Sequence, residues 1–200
     1  MIVITADQRR SRSTPDASAA AIEDLTARWR DQLSLPIERS AGDEIQLVTG
    51  SAETAIGIVL QLTRTGRWSV GVGTGAVELG ANTRESTGPA FIAARRAVDR
   101  AKKRATHFAL ESEPEAQLAA HLESLVDLLL LLRQRRTDPG WQLYDLLADG
   151  GTQLEAARAL GITPQSVSER AITAGLRADE TATVALVSLL TMLDAEGGDR

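Results

Sequence analysis

"IERSAGDEIQLVT", residues 37–49, decides how the first half of this chain is read. Apolar Ile37, Ile45, Leu47 and Val48 flank Gly42-Asp43-Glu44. Gly followed by Asp is turn chemistry, because both residues tolerate unusual backbone angles. The stretch is therefore expected to be a β-hairpin. It also puts carboxylates where the strands reverse, so Asp43 has two readings: a solvated turn residue, or a group held out to a cation.

Outward from the hairpin, short β patterns alternate with helical ones. "MIVITA" (1–6) is a strand rich in β-branched residues, and "ASAAAIEDLTARWRDQL" (17–33) carries a helical stripe at Ala21, Ile22, Leu25, Trp29 and Leu33. "SAETAIGIVLQLTR" (51–64) opens with Ser51 as N-cap and Glu53 in its first turn. "RWSVGVGTGAVEL" (67–79) is a strand broken by glycines. "GPAFIAARRAVDRAKK" (88–103) is a helix with Pro89 in its first turn and a cationic end, and "THFALES" (106–112) is a last strand. The order β-α-β-β-α-β-α-β predicts an α+β, ferredoxin-like fold with one added helix and strand, its helices on one face of a mostly antiparallel sheet.

No strand signal follows Pro114. "EAQLAAHLESLVDLLLLLRQRR" (115–136) is a long helix with a basic end, and "DPGWQLYDLLADGG" (138–151) is a second. Further helical stretches are expected near 152–160, 164–175 and 180–195. The acidic, Pro-containing "ESEPE" (111–115) marks the boundary between a domain of residues 1–112 and a helical domain of 113–200.

Composition narrows the chemistry. The chain has no cysteine, which removes disulfides, thiolate metal sites and a Cys nucleophile; with only His107 and His121, a His-rich metal site is excluded as well. The run "LVDLLLLL" (125–132) is too short to span a bilayer and contains Asp127, and the N-terminus lacks the pattern of a signal peptide. A cytoplasmic protein without a membrane partner is expected. Residues 1–110 hold 15 Lys+Arg against 12 Asp+Glu, whereas residues 111–200 hold 7 against 15. That asymmetry suggests two modules with different tasks.

In the first module, "ADQRRSR" (6–12) places Asp7 at the end of the first strand. If that strand neighbours the hairpin, Asp7 and Asp43 approach each other, and two close carboxylates repel unless a proton or a cation intervenes. Mg²⁺ held by such carboxylates and by substrate phosphates is a common arrangement. The following loop, from Gln8 through Arg9, Arg10, Ser11 and Arg12, would offer donors to phosphate, with Arg95 and Arg96 of the later helix. The competing reading makes Asp7 a helix cap. "GVGTG" is no dinucleotide fingerprint, since it lacks the G-x-G-x-x-G spacing and opens no helix; structural glycines in a twisted or bulged strand are expected.

The ordered set "ADxxxSR … GDEIQ … VGVGTG … GPAFIAARRA" resembles the SatD family of bacterial proteins over about residues 1–110. More distantly it is similar to class III nucleotidyl cyclases and GGDEF diguanylate cyclases. That resemblance implies metal-binding roles for Asp7 and Asp43, with Mg²⁺ and a nucleotide as ligands. Two positions depart from the cyclase pattern. Ile92 stands where cyclases have an Asn, although Arg96 keeps the Arg, and Ala41 replaces a glycine of the hairpin. Losing one transition-state donor costs roughly 10²–10³ in rate, so the departures favour binding over turnover.

In the second module, "TQLEAARALGITPQSVSERAITAGL" (152–176) has the pattern of a helix-turn-helix and resembles that of bacterial transcription regulators. Ala157 is the small residue where helices cross, Gly161 the left-handed turn residue and Val167 the apolar anchor. Leu154, Leu160, Ile162 and Ile172 are expected to complete its core. Gln165, Ser166, Ser168, Arg170 and Thr173 face outward for DNA, with Arg177 beside them and Arg133, Arg135 and Arg136 as further cations. A structural or protein-binding role is the alternative. The whole reads as a homodimeric, DNA-binding transcriptional regulator whose cyclase-like domain senses a purine nucleotide or nucleotide second messenger. The competing reading is an active nucleotidyl cyclase or transferase with a helical dimerisation tail.

Overall fold

A computed structural model describes residues 1–9, 14–40, 42–148 and 150–198, the side chains of 196–198 excepted. It is a mixed α+β structure with a five-stranded sheet and eight α-helices among the described residues. The chain forms two compact units, Met1–Asp127 with the segment from Leu186 onward, and Leu128–Ala185.

The first unit contains β1 (Ile2–Gln8), α1 (Ser18–Trp29), β2 (Glu38–Arg39), β3 (Glu44–Thr49), α2 (Ala52–Thr63), β4 (Trp68–Thr74), α3 (Pro89–Ala101) and β5 (Phe108–Ser112). The strand order is β2-β3-β1-β4-β5, with β4 and β5 parallel and every other neighbour antiparallel. The hairpin at 37–49 is present, and its turn closes at Gly42 with φ +63°. Ser51 caps α2 by accepting from the Thr54 N–H, as its position before an apolar-periodic run requires.

The sheet is covered on both faces, not on one. Cross-strand register puts Val3, Val48 and Gly73 side by side, and Ala90 and Ala94 of α3 pack on Val3 and Val48. Residues of the other parity, among them Ile4, Leu47 and Val72, turn to the opposite face and are as fully buried, where α2 packs on β1, β3 and β4. The glycines of β4 explain how α3 settles so close. A Cβ on Gly71 would lie 2.1 Å from the Val98 nitrogen, and one on Gly73 would lie 2.2 Å from the Ala90 oxygen. Opposite these glycines α3 presents Ala90, Ala93, Ala94, Ala97 and Ala101, so small residues meet small residues and the backbones nearly touch.

Both sheet edges are closed by side chains. On β5, Glu123 of α4 (Ala116–Gln134) accepts from the Leu110 N–H at 2.8 Å, while Arg100 donates to the Leu110 carbonyl at 2.9 Å. On β2, Arg84 donates to the Arg39 carbonyl, and its own N–H is accepted by Glu38.

The second unit comprises the later part of α4, α5 (Asp138–Ala148), α6 (Gln153–Leu160), α7 (Pro164–Thr173) and the start of α8 (Leu176–Gly198). Leu143 of α5 joins Ala156, Ala157 and Val167 in its core, flanked by Leu147, Leu160, Ile162, Ala171 and Leu176.

Candidate functional site

Along β1, the face beneath α3 changes from apolar to charged. Val3 lies under Ala90 and Ala94; Thr5 accepts from the buried Gln46 amide at 3.2 Å; then the register pairs Asp7 with Glu44. The end of α3 supplies the matching cations. Arg95 Nη1 lies 2.9 Å from Glu44 Oε2, and Lys102 Nζ lies 3.1 Å from Asp7 and 3.2 Å from Asp99. A spacing of seven puts Arg95 and Lys102 on one helix face, two turns apart.

Burial makes this cluster unequal. Glu44 is 3 % exposed, and desolvation pushes its carboxyl above the usual value, although the Arg95 guanidinium pulls it back. Burial works against the Lys102 charge, yet hydrogen bonding and attraction from Asp7 and Asp99 outweigh it and hold the ammonium above its usual value. Glu44 Oε1 and Asp43 Oδ2 are buried without a hydrogen-bond partner. Such orphaned acceptors are uncommon in a folded protein and accept only cations or N–H and O–H donors.

The residues expected at this site separate into several groups. Asp7 and Arg95 join the cluster. Gln8 instead braces the loop into α1: its amide donates to the Pro15 carbonyl and the Thr14 hydroxyl, and its oxygen accepts from the Ala17 N–H. Arg9 donates to the Gly66 carbonyl. Arg96 turns away from Arg95 and pairs with Glu113 at 2.9 Å. Arg10, Ser11, Arg12 and Ala41 lie outside the described residues. Sequence reasoning passed over Glu44 and Lys102; the signals were the two-residue period from Glu44 to Gln46 and Val48, and the seven-residue step from Arg95. Among the described residues no group of three or more His, Cys, Asp or Glu is arranged to hold a metal ion. Each orphaned oxygen can accept a cation or a donor, but Asp43 and Glu44 are consecutive at the start of β3 and are not brought together on one face, and Asp7 already carries the Lys102 ammonium.

In the second unit, the helix-turn-helix pattern becomes two capped helices joined by a tight turn. Thr152 and Glu155 form a reciprocal capping box at the start of α6. Gly161 ends α6 in the left-handed conformation at φ 64°, Thr163 caps α7 by accepting from the Ser166 N–H, and Pro164 begins it. Val167 is fully buried, as an anchor must be. Leu154 and Ile172 are not core residues: they are 50 % and 80 % exposed, and Leu143 of α5 joins Ala156, Ala157 and Val167 in the core instead.

The outward face of α7 carries Gln165, Glu169, Ile172 and Thr173. Gln165 donates to Glu169 at 3.2 Å and the Thr173 hydroxyl to the Glu169 carbonyl. Ser166 bonds the Thr163 hydroxyl, and Ser168 bonds Gln153 and the Pro164 carbonyl. Arg177 is exposed and Arg170 half-buried. Arg133 and Arg136 do not reach the surface. Both close on Asp179, at 2.7 Å and 2.6 Å, with their guanidinium groups over Trp141 and Tyr144 at 4.5–5.0 Å.

No family model, curated protein or solved structure matches the chain at a significant level. Among the described residues no helix is long and apolar enough to cross a membrane.

Proposed function

We propose that this protein is a DNA-binding transcriptional regulator in which a ferredoxin-like, SatD- and cyclase-like first unit senses a purine nucleotide or nucleotide second messenger. The observation that carries the reading is the α6–Gly161–α7 arrangement, with its left-handed turn glycine, capped second helix and buried Val167. An exposed helix held this way suits the major groove. On its surface Gln165 suits adenine, Glu169 suits a cytosine amino group, and Ile172 suits a thymine methyl.

Few cations accompany α7. Arg135, Arg158 and Arg177 are exposed and Arg170 is half-buried, while Arg133 and Arg136 are committed internally. Each copy therefore makes few phosphate contacts, and a homodimer doubles them. Exposed Leu128, Leu131 and Val184 support a second copy as partner. In the first unit, the order β2-β3-β1-β4-β5 supports the ferredoxin-like reading, and the orphaned oxygen of Asp43 supports a cation beside a nucleotide. Asp43 would hold Mg²⁺, whose chemistry is to neutralise phosphate charge; Arg95 and Lys102 would orient the phosphates.

The test is selection of DNA from a random pool by the full chain, followed by titration at fixed salt with and without GTP or ATP and Mg²⁺. Gln165→Ala should relax one position of the selected site and cost roughly 1–3 kcal/mol, whereas Arg177→Ala should weaken all sequences alike. Recovery of no preferred sequence would remove the DNA reading. Turnover of the nucleotide, abolished by Asp43→Asn, would favour the enzyme instead.

A further inference from the structure

We propose that the end of the sheet where β1 stops and β4 and β5 begin is a nucleic-acid surface of the first unit, holding the phosphate backbone of double-stranded DNA without reading its sequence. Three stretches far apart in the chain meet there. The loop after β1 is tied to the turn before β4, since the Arg9 N–H donates to the Arg67 carbonyl and the Arg9 guanidinium to the Gly66 carbonyl. The turn before β5 lies alongside, where the His107 carbonyl accepts from the Val70 N–H at 2.8 Å. Each stretch carries cations and no carboxylate: residues 8–15 hold three arginines, 54–77 hold two, and 101–110 hold Lys102, Lys103 and Arg104. The acidic hairpin turn at Asp43 lies on the other side of β1, because the strands run β3-β1-β4-β5.

Some of these charges are already committed. Lys102 pairs with Asp7 and Asp99, and Arg104 with Glu123 and Asp127. A cation at a helix C-cap answers the helix dipole, which accounts for Arg64 on α2 and Lys102 on α3. It does not account for Arg9 at a strand end or Arg67 before a strand. Among the described residues Arg9, Arg67 and Lys103 have no carboxylate partner, and Arg67 and Lys103 are exposed. His107 feels the resulting field: burial first, and the Arg9 charge after it, hold its imidazole below the usual 6.5.

What this surface lacks selects its partner. Among the described residues of the three turns no large apolar side chain is exposed, so nothing enters a lipid surface. Trp68 and Phe108 open their strands but are 4 % and 0 % exposed, so no ring is offered to stack on unpaired bases. Cations without aromatic neighbours suit the regular feature of a duplex, its rows of phosphates. The surface is independent of α7, to which any sequence preference belongs.

Binding of the full chain to a short labelled duplex of scrambled sequence, across a salt series, tests the surface. A Kd on the order of 10⁻⁴–10⁻⁶ M is expected at physiological salt. Each phosphate contact contributes about 0.9 to the slope of log K against log salt, so Arg67→Gln/Lys103→Gln should flatten that slope by about 1.8. Both side chains are exposed and lack a carboxylate partner, so the urea midpoint should not move. Arg30→Gln is the control: it removes an exposed cation at the opposite end of the sheet, where Thr49 donates to the Gln32 carbonyl, and should leave the slope as in wild type. Inorganic tripolyphosphate at equal phosphate concentration and ionic strength should not displace the duplex, because it carries no condensed counterions to release. The proposal is overturned if no duplex binds at low salt, if the double variant keeps the wild-type slope, or if Arg30→Gln flattens it as much. Displacement by tripolyphosphate would make this a small-phosphate site and overturns it too. Failure of α7 to select a sequence leaves each of these outcomes intact, since a scrambled duplex offers no preferred site.

Discussion

Both units bury a carboxylate against arginine, and they leave opposite groups unsatisfied. In the first, Glu44 is sealed in while its partner Arg95 stays half in water, and the orphaned atom is an acceptor, Glu44 Oε1. In the second, Asp179 and both of its arginines are buried, and the orphaned atom is a donor, Arg136 Nη1. Trp141 and Tyr144 spread the surplus positive charge over their ring faces. The lesson lies in which partners are sealed. With only the carboxylate buried, the cation can be exchanged for another. With all partners buried, the cluster is fixed and serves the fold.

The largest expected effect tests the fixed cluster. Asp179→Asn leaves two buried guanidinium groups without counter-charge and should cost about 3–5 kcal/mol in urea unfolding of the full chain. Stability within 1 kcal/mol of wild type, far below the loss from a broken buried pair, would show that the aromatic rings suffice. Next comes Gly71→Ala, which forces a methyl group into the α3 backbone; about 1–3 kcal/mol should be lost, measured in the same way.

The Glu44 cluster should respond to pH with a particular sign. Its carboxyl is held above the ordinary value of 4.5, so the native state binds the proton more tightly than the unfolded one. Stability from this group is therefore highest below pH 4.5 and falls as pH rises through the native value. Subtracting the stability of Glu44→Gln from that of wild type across this window should isolate the decline. A flat difference would mean that Arg95 fully compensates burial. The smallest effect is expected for Arg96→Gln/Glu113→Gln: exposed pairs contribute little, and a loss above about 0.5 kcal/mol in urea unfolding would show that this pair holds the fold.

Much of this architecture was legible in the sequence. A β-branched run marked β1, the Gly-Asp turn between apolar flanks marked the hairpin, Ser51 marked the start of α2, and Gly161 with Val167 marked the turn and anchor of α6 and α7. Non-local partnerships were hidden. The basic end of α4 reads locally as solvated charge, yet Arg133 and Arg136 are buried because Asp179 reaches them from more than 40 residues further on. The glycines at 71 and 73 read as strand irregularities, while their purpose is set by alanines on a helix that follows a loop. Leu154 and Ile172 fit a helical apolar stripe but are exposed, whereas the core draws Leu143 from another helix. Asp43 drew attention through its turn, although period two places Glu44, not Asp43, opposite Asp7.

The closed edges of the sheet have a consequence for behaviour in a crowded solution. An uncovered strand is a template on which another chain can add itself, and natural proteins guard against this. Here Leu110 on one side and Arg39 on the other already spend their outward backbone groups on charged side chains. A recruiting strand would have to displace Arg100 and Glu123, or Arg84, before making its first hydrogen bond. The charged side chains thus act as stoppers against runaway polymerisation, a safeguard provided without an extra strand or a proline.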